Sequence, residues 1–195
     1  MKFSVIIPAY NSAGWIEKGL RSIREQSFTD YELIVVCDSC RDNTAEIARS
    51  FGAKVIEVEY GLDGLTRNAG IDAAQGDWLL FMDDDDWFLH EFAFEMLAEI
   101  TYSNDVDVIF FDFIWKGRCY TRNRGNFVAV WSKTWKREFV GDIRFPATPY
   151  WSDVEFHQRM MRKEPRTYFA NTPLYYYNFL REGSISWQKE RGLIK

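Results

Sequence analysis

The chain has 195 residues, of which 47% are apolar and 27% are charged, and its net charge at neutral pH is −5. This length is sufficient for one sizeable core and short for two independent domains. The balance of apolar and charged residues is that of a globular protein, and the acidic balance argues against nucleic acid as the main partner. An anionic substrate would therefore need a local cation.

The sequence also argues against membrane-spanning and disulfide-rich proteins. No window approaches the roughly 20 consecutive apolar residues of a transmembrane helix, and the N-terminal MKFSVIIPAYN does not have the form of a signal peptide. Three cysteines are an odd number and form no disulfide framework. We therefore expect a cytoplasmic protein without a transmembrane segment.

Strand-like and helix-like segments alternate over the first 113 residues. Apolar runs predict strands, and apolar residues at every third or fourth position predict helices. In chain order the predicted strands are 3–8, 32–37, 53–59, 77–82 and 106–113, and the predicted helices are 13–26, 45–51, 65–74 and 91–101. This order predicts an α/β fold with a mostly parallel sheet and helices on both faces.

Residues 114–195 do not continue this alternation. They combine short aromatic segments with turns and one predicted helix at 153–162. Because no linker separates them from residues 1–113, we expect a small lobe packed on the same sheet, within a single domain. The run from Tyr175 to Tyr177 is interpreted as a strand with core contacts rather than as a platform for a sugar.

Polar residues follow three of the predicted strands. Ala9, Tyr10 and Asn11 follow the first strand, Asp38 follows the second, and the run from Asp83 to Asp86 follows the fourth. Ligands of open parallel sheets bind beyond the carboxyl ends of the strands. The three clusters are therefore expected to meet at one edge of the sheet.

The four consecutive carboxylates, Asp83 to Asp86, need a nearby cation or hydrogen-bond donors, because like charges repel. An EF-hand loop starting at Asp83 would require Gly and Glu where the chain has Phe88 and Phe94. The residues after Asp85 do not match a phosphatase of the haloacid type. Two acids separated by one residue suit a magnesium or manganese ion that also binds a diphosphate. The alternative is a solvated acidic turn that caps the following helix.

Five motifs occur in the order of one known family. They are SVIIPAYN, VVCDSCRDNT, GLTRNAGIDAAQGDWLLFMDDDDW, IRFPATPYWSDVEF and PLYYYNFLREGSIS. With these motifs the chain resembles the inverting family 2 glycosyltransferases of the GT-A fold, from residue 3 to about residue 186. The resemblance implies a Rossmann-like GT-A sheet with a C-terminal acceptor lobe. It also implies transfer of a hexosyl or N-acetylhexosaminyl group from a nucleotide sugar, with a UDP-sugar expected, to a glycan or lipid-linked acceptor.

The resemblance further implies roles for individual residues. The nucleotide-binding residues would be Pro8, Ala9, Tyr10, Asp38, Arg67, Asp83 and Asp84, with Asp38 accepting a hydrogen bond from the base. Asp83 and Asp85 would bind Mn²⁺ or Mg²⁺. Asp153 would be the general base, and Arg181 and Ser184 would lie in a loop over the diphosphate.

Single displacement at the anomeric carbon needs two kinds of assistance. Negative charge grows on the leaving diphosphate, where a metal ion and an arginine stabilise it. The acceptor hydroxyl must lose its proton to a carboxylate on the opposite face of the sugar, for which Asp153 is the candidate. Strand alternation would turn Asp84 away from Asp83 and Asp85, and would leave Asp86 to cap the next helix or to orient the metal ligands.

Structural roles compete with several of these assignments. Asp153 precedes a helix-like run and could be its N-cap, Asp38 could be a turn residue, and Arg67 could be a solvated helix arginine. Cys37 and Cys40 form a C-x-x-C motif that would also suit thiol-disulfide chemistry.

Three residues depart from the family pattern. Cys37 replaces the first Asp of an Asp-Asp pair, Cys40 replaces Ser, and Ser152 replaces the Glu that usually precedes the base. A non-catalytic relative that binds a nucleotide or a partner protein is therefore the alternative function. The acceptor lobe is short, so the acceptor is small or lipid-linked at a membrane surface, or the chain is part of a longer enzyme.

Overall fold

The computed structural model describes residues 2–120, 128–178 and 191–192. In chain order its strands are β1 (Phe3–Ala9), β2 (Tyr31–Asp38), β3 (Lys54–Val58), β4 (Trp78–Phe81), β5 (Trp87–Phe88), β6 (Val108–Trp115), β7 (Arg118–Tyr120), β8 (Lys133–Lys136) and β9 (Thr167–Tyr177). Its helices are α1 (Ile16–Arg24), α2 (Thr44–Ser50), α3 (Asp63–Ala73), α4 (Ala93–Ser103), α5 (Arg137–Val140) and α6 (Ser152–Met161), with a 3-10 turn at Val130–Ser132.

These strands form one sheet in the order β3-β2-β1-β4-β8-β6-β9-β5, with β7 paired to β6 outside this path. Strands β3, β2, β1 and β4 are mutually parallel, and β9 is parallel to β6. Strand β8 is antiparallel to both of its neighbours, β4 and β6. The predicted mostly parallel α/β sheet is confirmed.

Helices cover both faces of the sheet, as predicted. One buried cluster joins β1 and β2 to α1, α2 and α4, and a second joins the opposite face to α3 and α6. Helix α1 buries Ile16, Leu20 and Ile23, which recur at the spacing of one helix face. Helix α3 lies directly on β1, because a side chain at Gly70 would meet Ile6 Cγ2 at 2.3 Å.

Residues after 113 supply interior strands of the sheet in addition to surface structure. Strand β6 runs through the expected division between residues 113 and 114, and β8 separates β4 from β6. The Tyr175 to Tyr177 run lies in β9, and Tyr175 is buried in the core, as its interpretation as a strand requires.

Three short strands were not predicted, because β5, β7 and β8 have two to four residues each and carry no measurable periodicity. Strand β9 pairs with β6 through register shifts on both sides of Asp112. Local sequence patterns cannot predict the pairing of β6 with β9, because these strands lie far apart in the sequence. Among the described residues, no helix has the length and apolar character required to cross a bilayer.

Candidate nucleotide and metal site at the carboxyl edge

The site lies at the carboxyl edge, defined here as the edge where the parallel strands β1, β2 and β4 end. Ala9 at the end of β1 pairs with Cys37 of β2, and Ile6 pairs with Phe81 of β4. Pro8 is half-buried, Ala9 is buried and Tyr10 is exposed. The structure therefore brings the three predicted polar clusters to one edge of the sheet.

The acidic turn, Asp83 to Asp86, alternates between buried and half-buried side chains. Asp84 is 8% exposed and Asp86 is fully buried, whereas Asp83 and Asp85 are half-buried. Asp84 Oδ2 accepts hydrogen bonds from the backbone N–H of Tyr10, at 3.2 Å, and from the Ser12 hydroxyl. Asp84 thus joins the acidic turn to the loop after β1 and points away from Asp83 and Asp85, as the alternation predicts.

Asp86 fixes the acidic turn to β9. Its Oδ2 accepts a hydrogen bond from the Tyr175 hydroxyl at 2.6 Å, and its Oδ1 accepts one from the backbone N–H of Asn178 at 2.7 Å. The Tyr175 hydroxyl also accepts from the Asp83 N–H at 3.1 Å. Helix α4 begins at Ala93, so a capping role for Asp86 is wrong, and its bonds instead orient the acidic turn.

The electrostatics of the acidic turn favour a cation. The pKa of Asp83 is raised to about 6, because burial and the charges of Asp63 and Asp84 raise it more than Arg67 lowers it. Burial also raises the pKa of Asp86 well above its ordinary value, with contributions from Asp83 and Asp85. Carboxylates that are buried and that repel one another in this way are stabilised by a bound divalent ion.

The two half-buried carboxylates fit a cation that is completed by a ligand. Within the described ranges, no set of three or more His, Cys, Asp or Glu side chains is placed to hold a metal ion. Magnesium is commonly bound by one or two carboxylates together with substrate phosphates and water. Asp83 and Asp85 would therefore hold Mg²⁺ or Mn²⁺ together with a diphosphate.

Arg67 is a buried cation between three carboxylates. The residue is 6% exposed, Nη2 donates to Asp83 Oδ1 at 2.7 Å, and Nη1 donates to Asp63 Oδ2. Burial opposes the charge, but Asp63, Asp83 and Asp153 outweigh it and raise the pKa of Arg67. Its Nε is buried and has no hydrogen-bond partner among the described residues. The alternative of a solvated helix arginine is wrong.

Asp38 organises the loop that leads into α3. Oδ1 accepts from the backbone N–H groups of Tyr60 and Gly61 at 2.9 and 3.0 Å, and Oδ2 accepts from the Thr66 hydroxyl at 2.8 Å. Burial acts to raise the pKa of Asp38, but these hydrogen bonds and that of Ser39 lower it overall. Asp38 is ionised and held by a turn, and Oδ2 retains capacity for one further donor.

Asp153 lies in the first turn of α6, where the helix dipole favours a negative charge. The helix starts at Ser152 and its N-cap position is Trp151, so the interpretation of Asp153 as the N-cap is wrong. Asp153 Oδ1 accepts a hydrogen bond from the Val154 N–H at 2.9 Å. The preceding residue, Ser152, is hydrogen-bonded to Asp63, which also bonds Arg67, so the start of α6 lies beside the carboxyl edge.

Comparison with known proteins identifies the family. The model of the family described as "Glycosyl transferase family 2" matches residues 4–169. The chain belongs to glycosyltransferase family 2. It is 25% identical to "Glycosyltransferase GlyA" of Streptococcus pneumoniae over 95% of this chain and 31% of that protein. It is 37% identical to the poly(ribitol-phosphate) beta-N-acetylglucosaminyltransferase TarS of Staphylococcus aureus over 47% of this chain and 17% of TarS.

Solved structures confirm the GT-A fold expected for family 2. The crystal structure of S. aureus TarS 1-349 in complex with UDP-GlcNAc superposes with a TM-score of 0.86 and 25% identity, over 95% of this chain and 60% of that one. The mannosyltransferase PcManGT from Pyrobaculum calidifontis, in complex with GDP-Man and Mn²⁺, shares the fold with a TM-score of 0.74 and 17% identity, over 97% of this chain and 60% of that one. This chain therefore spans a part of each of these relatives.

Arg181 and Ser184, which the family resemblance places in a loop over the diphosphate, lie outside the residues that the structure describes.

The thiol-disulfide alternative for Cys37 and Cys40 is not supported. Burial raises the pKa of Cys37 to about 12, and burial also raises that of Cys40, whereas a reactive cysteine needs a lowered pKa. The Cys40 thiol donates to the Ala9 carbonyl oxygen at 3.4 Å, so both cysteines serve as packing residues at the end of β1.

Lys133 is a residue that the sequence did not single out. It is fully buried at the start of β8, and its Nζ donates to the Ala129 carbonyl oxygen at 2.6 Å and to Ser132 Oγ at 3.3 Å. Burial lowers the pKa of Lys133 from 10.5 to about 7, and the charge of Asp153 opposes this change. A lysine amid aromatic residues in VWSKTW was the available signal, but it is equally typical of an exposed strand.

Replacing Lys133 with Met is expected to raise the melting temperature more at pH 6 than at pH 9.5. Between its folded pKa of about 7 and its unfolded value near 10.5, the unfolded chain binds a proton that the folded chain does not. Wild-type stability therefore gains with rising pH across this window, and the variant lacks that gain. Thermal unfolding at both pH values measures the difference.

Lys136→Met is the matched control for this measurement. Lys136 lies on the same strand, is partly exposed, and forms an ion pair with Glu138 at 3.7 Å. Its replacement should change the melting temperature by a similar amount at both pH values. A pH-independent effect of Lys133→Met would contradict the lowered pKa.

Proposed function

We propose that this family 2 chain carries out inverting, metal-dependent transfer of a sugar from a UDP-sugar to a hydroxyl group of a glycan or lipid-linked acceptor. The observation that carries the proposal is the placement of Arg67, which bonds Asp83 of the acidic turn and also bonds Asp63, the hydrogen-bond partner of Ser152 beside Asp153. Groups for the leaving diphosphate and for the acceptor proton are thereby held at one edge.

The donor side would be formed by the ends of β1, β2 and β4. Asp38 would accept from the nucleotide base, with Pro8, Ala9 and Tyr10 around it. Asp83 would complete the nucleotide-binding residues, and Asp84 would act indirectly, through its hydrogen bond to the backbone N–H of Tyr10. TarS is solved with UDP-GlcNAc and with UDP, which supports a UDP-sugar as the donor. Both N-acetylhexosaminyl and hexosyl donors occur among the relatives by name.

The chemistry divides between the two sides of Arg67. A divalent ion held by Asp83 and Asp85 would stabilise negative charge on the leaving diphosphate. Arg67 supplies a second, fixed positive charge that needs no reorganisation during the reaction. Asp153, in the first turn of α6, accepts the proton of the attacking hydroxyl. Attack from the face opposite the leaving group inverts the anomeric centre.

The acceptor side would include the segment immediately before the base. Tyr150 and Trp151 are exposed, Trp151 to 65%. Trp151 has a φ of 64°, which is unusual for a bulky residue. Amphipathic aromatic rings of this kind suit the apolar face of a sugar.

The alternative is a non-catalytic relative that binds a nucleotide or a partner through the same fold. Ser152, Cys37 and Cys40 depart from the family pattern, but Asp153, Asp83 and Asp85 remain at the carboxyl edge. The presence of Asp153, the proposed base, supports an active glycosyltransferase over a non-catalytic relative. The cytoplasmic location and a peripheral association with a membrane surface stay predictions.

Calorimetric titration with UDP, with and without MnCl₂, tests the proposed donor site. We expect binding to be at least about ten-fold tighter with manganese, because the ion offsets the repulsion between the diphosphate and the acidic turn. Release of UDP from UDP-GlcNAc and UDP-glucose then tests turnover. Equal affinities with and without the ion would remove the metal from the proposal, and an absence of UDP binding would overturn the donor assignment.

A further inference from the structure

A carboxylate from α3 lies beside the position that departs from the family pattern just before the base. The Ser152 hydroxyl donates a hydrogen bond to Asp63 Oδ2 at 3.3 Å. Ser152 is buried, whereas the Asp63 side chain is 48% exposed. The residue at position 152 carries no carboxylate of its own, but its hydroxyl is bonded to one that arrives from another helix.

The same carboxylate holds Arg67. Asp63 Oδ2 accepts from Arg67 Nη1 one helical turn along α3, and Arg67 Nη2 bonds to Asp83 at 2.7 Å. A continuous chain of polar contacts therefore runs from the acidic turn through Arg67 and Asp63 to the first residue of α6. This chain links the donor side of the site to the helix that carries Asp153.

Close packing leaves this junction little freedom. A side chain at Gly64 would meet the Pro146 carbonyl oxygen at 2.6 Å and Ser152 Cβ at 3.0 Å. The start of α3 is thus pressed against the segment that leads into α6. Small displacements at Asp63 would move the start of α6, since the two helices meet through these atoms.

We infer that Asp63 is a positioning residue for glycosyl transfer, and that it supplies from α3 the carboxylate that is missing at position 152. The inference rests on the proposed function. Asp63 divides the positive charge of Arg67 between both sides of the site and sets the position of Asp153 through Ser152. Without Asp63, Arg67 would pair more strongly with Asp83, which would weaken Asp83 as a metal ligand, and the start of α6 would lose its hydrogen bond to α3.

A reciprocal exchange of the two residues tests this inference. Asp63→Ser should lower the rate of UDP release from UDP-GlcNAc with MnCl₂ by about ten-fold to a hundred-fold, because the base is displaced. Adding Ser152→Glu to that variant returns a carboxylate to the junction and should restore most of the rate. Ser152→Glu alone should lower the rate, because two carboxylates then share one arginine.

Asp72→Ser is the control, since Asp72 lies on the same helix and pairs with Arg144 at 2.8 Å, away from the carboxyl edge. It should leave the rate unchanged. Thermal unfolding checks that each variant folds. Calorimetry with UDP and MnCl₂ should show that affinity changes less than rate. A purely structural role for Asp63 would instead lower affinity and rate together.

A second readout needs no turnover. Amide hydrogen exchange in the first turn of α6, Asp153 to Phe156, should become faster in Asp63→Ser and return towards the wild type in the exchanged pair. If the folded single variant keeps wild-type exchange and wild-type turnover, or if the pair is no better than Asp63→Ser, the inference is wrong. Failure of the wild type itself to bind UDP would instead overturn the proposed function.

Discussion

Replacing Asp153 with Asn is expected to lower UDP release from a nucleotide sugar by about a hundred-fold or more, with the affinity for UDP and manganese nearly unchanged. The amide keeps the size and the position of the side chain at the start of α6 but cannot accept the proton of the attacking hydroxyl. Steady-state rates with UDP-GlcNAc, together with calorimetry, separate the loss of chemistry from a loss of binding.

Glu155→Gln is the matched control for the base. Glu155 lies in the same first turn of α6, carries the same charge, and is paired with Arg159 on the exposed face of the helix. Its replacement removes one negative charge from the same helical turn without touching the carboxyl edge, so the rate should stay close to that of the wild type. Retention of turnover in Asp153→Asn would assign the base to another residue.

Asp85→Ala is expected to weaken UDP binding in the presence of manganese but not in its absence. With the ion, the loss of one of two carboxylate ligands should weaken binding by about ten-fold or more. Without the ion, binding should stay equal or become slightly tighter, because a negative charge near the diphosphate is gone. Calorimetry under the two conditions measures both changes in one protein.

Glu59→Ala is the control for charge alone. Glu59 follows β3 at the same end of the sheet and lies 4.0 Å from Arg41, with both side chains mostly exposed. Its removal should change UDP affinity little under either condition. Unchanged manganese dependence in Asp85→Ala would rule out Asp85 as the proposed metal ligand.

The manganese-dependent binding of UDP should also depend on pH. Since the pKa of Asp83 is raised to about 6, this binding should weaken as the pH falls through this value, because protonated Asp83 is a poorer metal ligand. Calorimetry at several pH values with MnCl₂ measures this change.

The N-terminal half of the fold could be predicted because its signals are local. Apolar runs and helical periodicity between residues 3 and 82 fixed the order of β1 to β4 and of the helices between them. The rule that ligands bind at the carboxyl ends of parallel strands then brought Tyr10, Asp38 and Asp83 together. The alternation within the acidic turn was also predictable, because successive side chains along a strand point in opposite directions. In the structure Asp84 and Asp86 are buried, whereas Asp83 and Asp85 are half-buried.

The rest of the site depends on contacts between residues far apart in the sequence. The hydrogen bond between Tyr175 and Asp86 joins β9 to the acidic turn, and no local sequence pattern near either residue predicts this contact. The bond between Ser152 and Asp63 is of the same kind. The burial of Lys133 follows from the position of β8 between two other strands, which its four-residue length did not reveal. Sequence patterns report faces and ends of elements, not their partners.

The central position of β8 has a consequence for how the protein is made. Until residues 133–136 leave the ribosome, β4 has no neighbour on one side, and the row of unpaired backbone groups along it is open to other chains. Strands β6 and β9 cannot join β1 to β4 before β8 is synthesised, since among the strands that the structure describes only β8 connects the two groups. While residues 82–133 are being synthesised, the nascent chain therefore carries an incomplete sheet with an open edge, and this interval is when protection by chaperones would matter most.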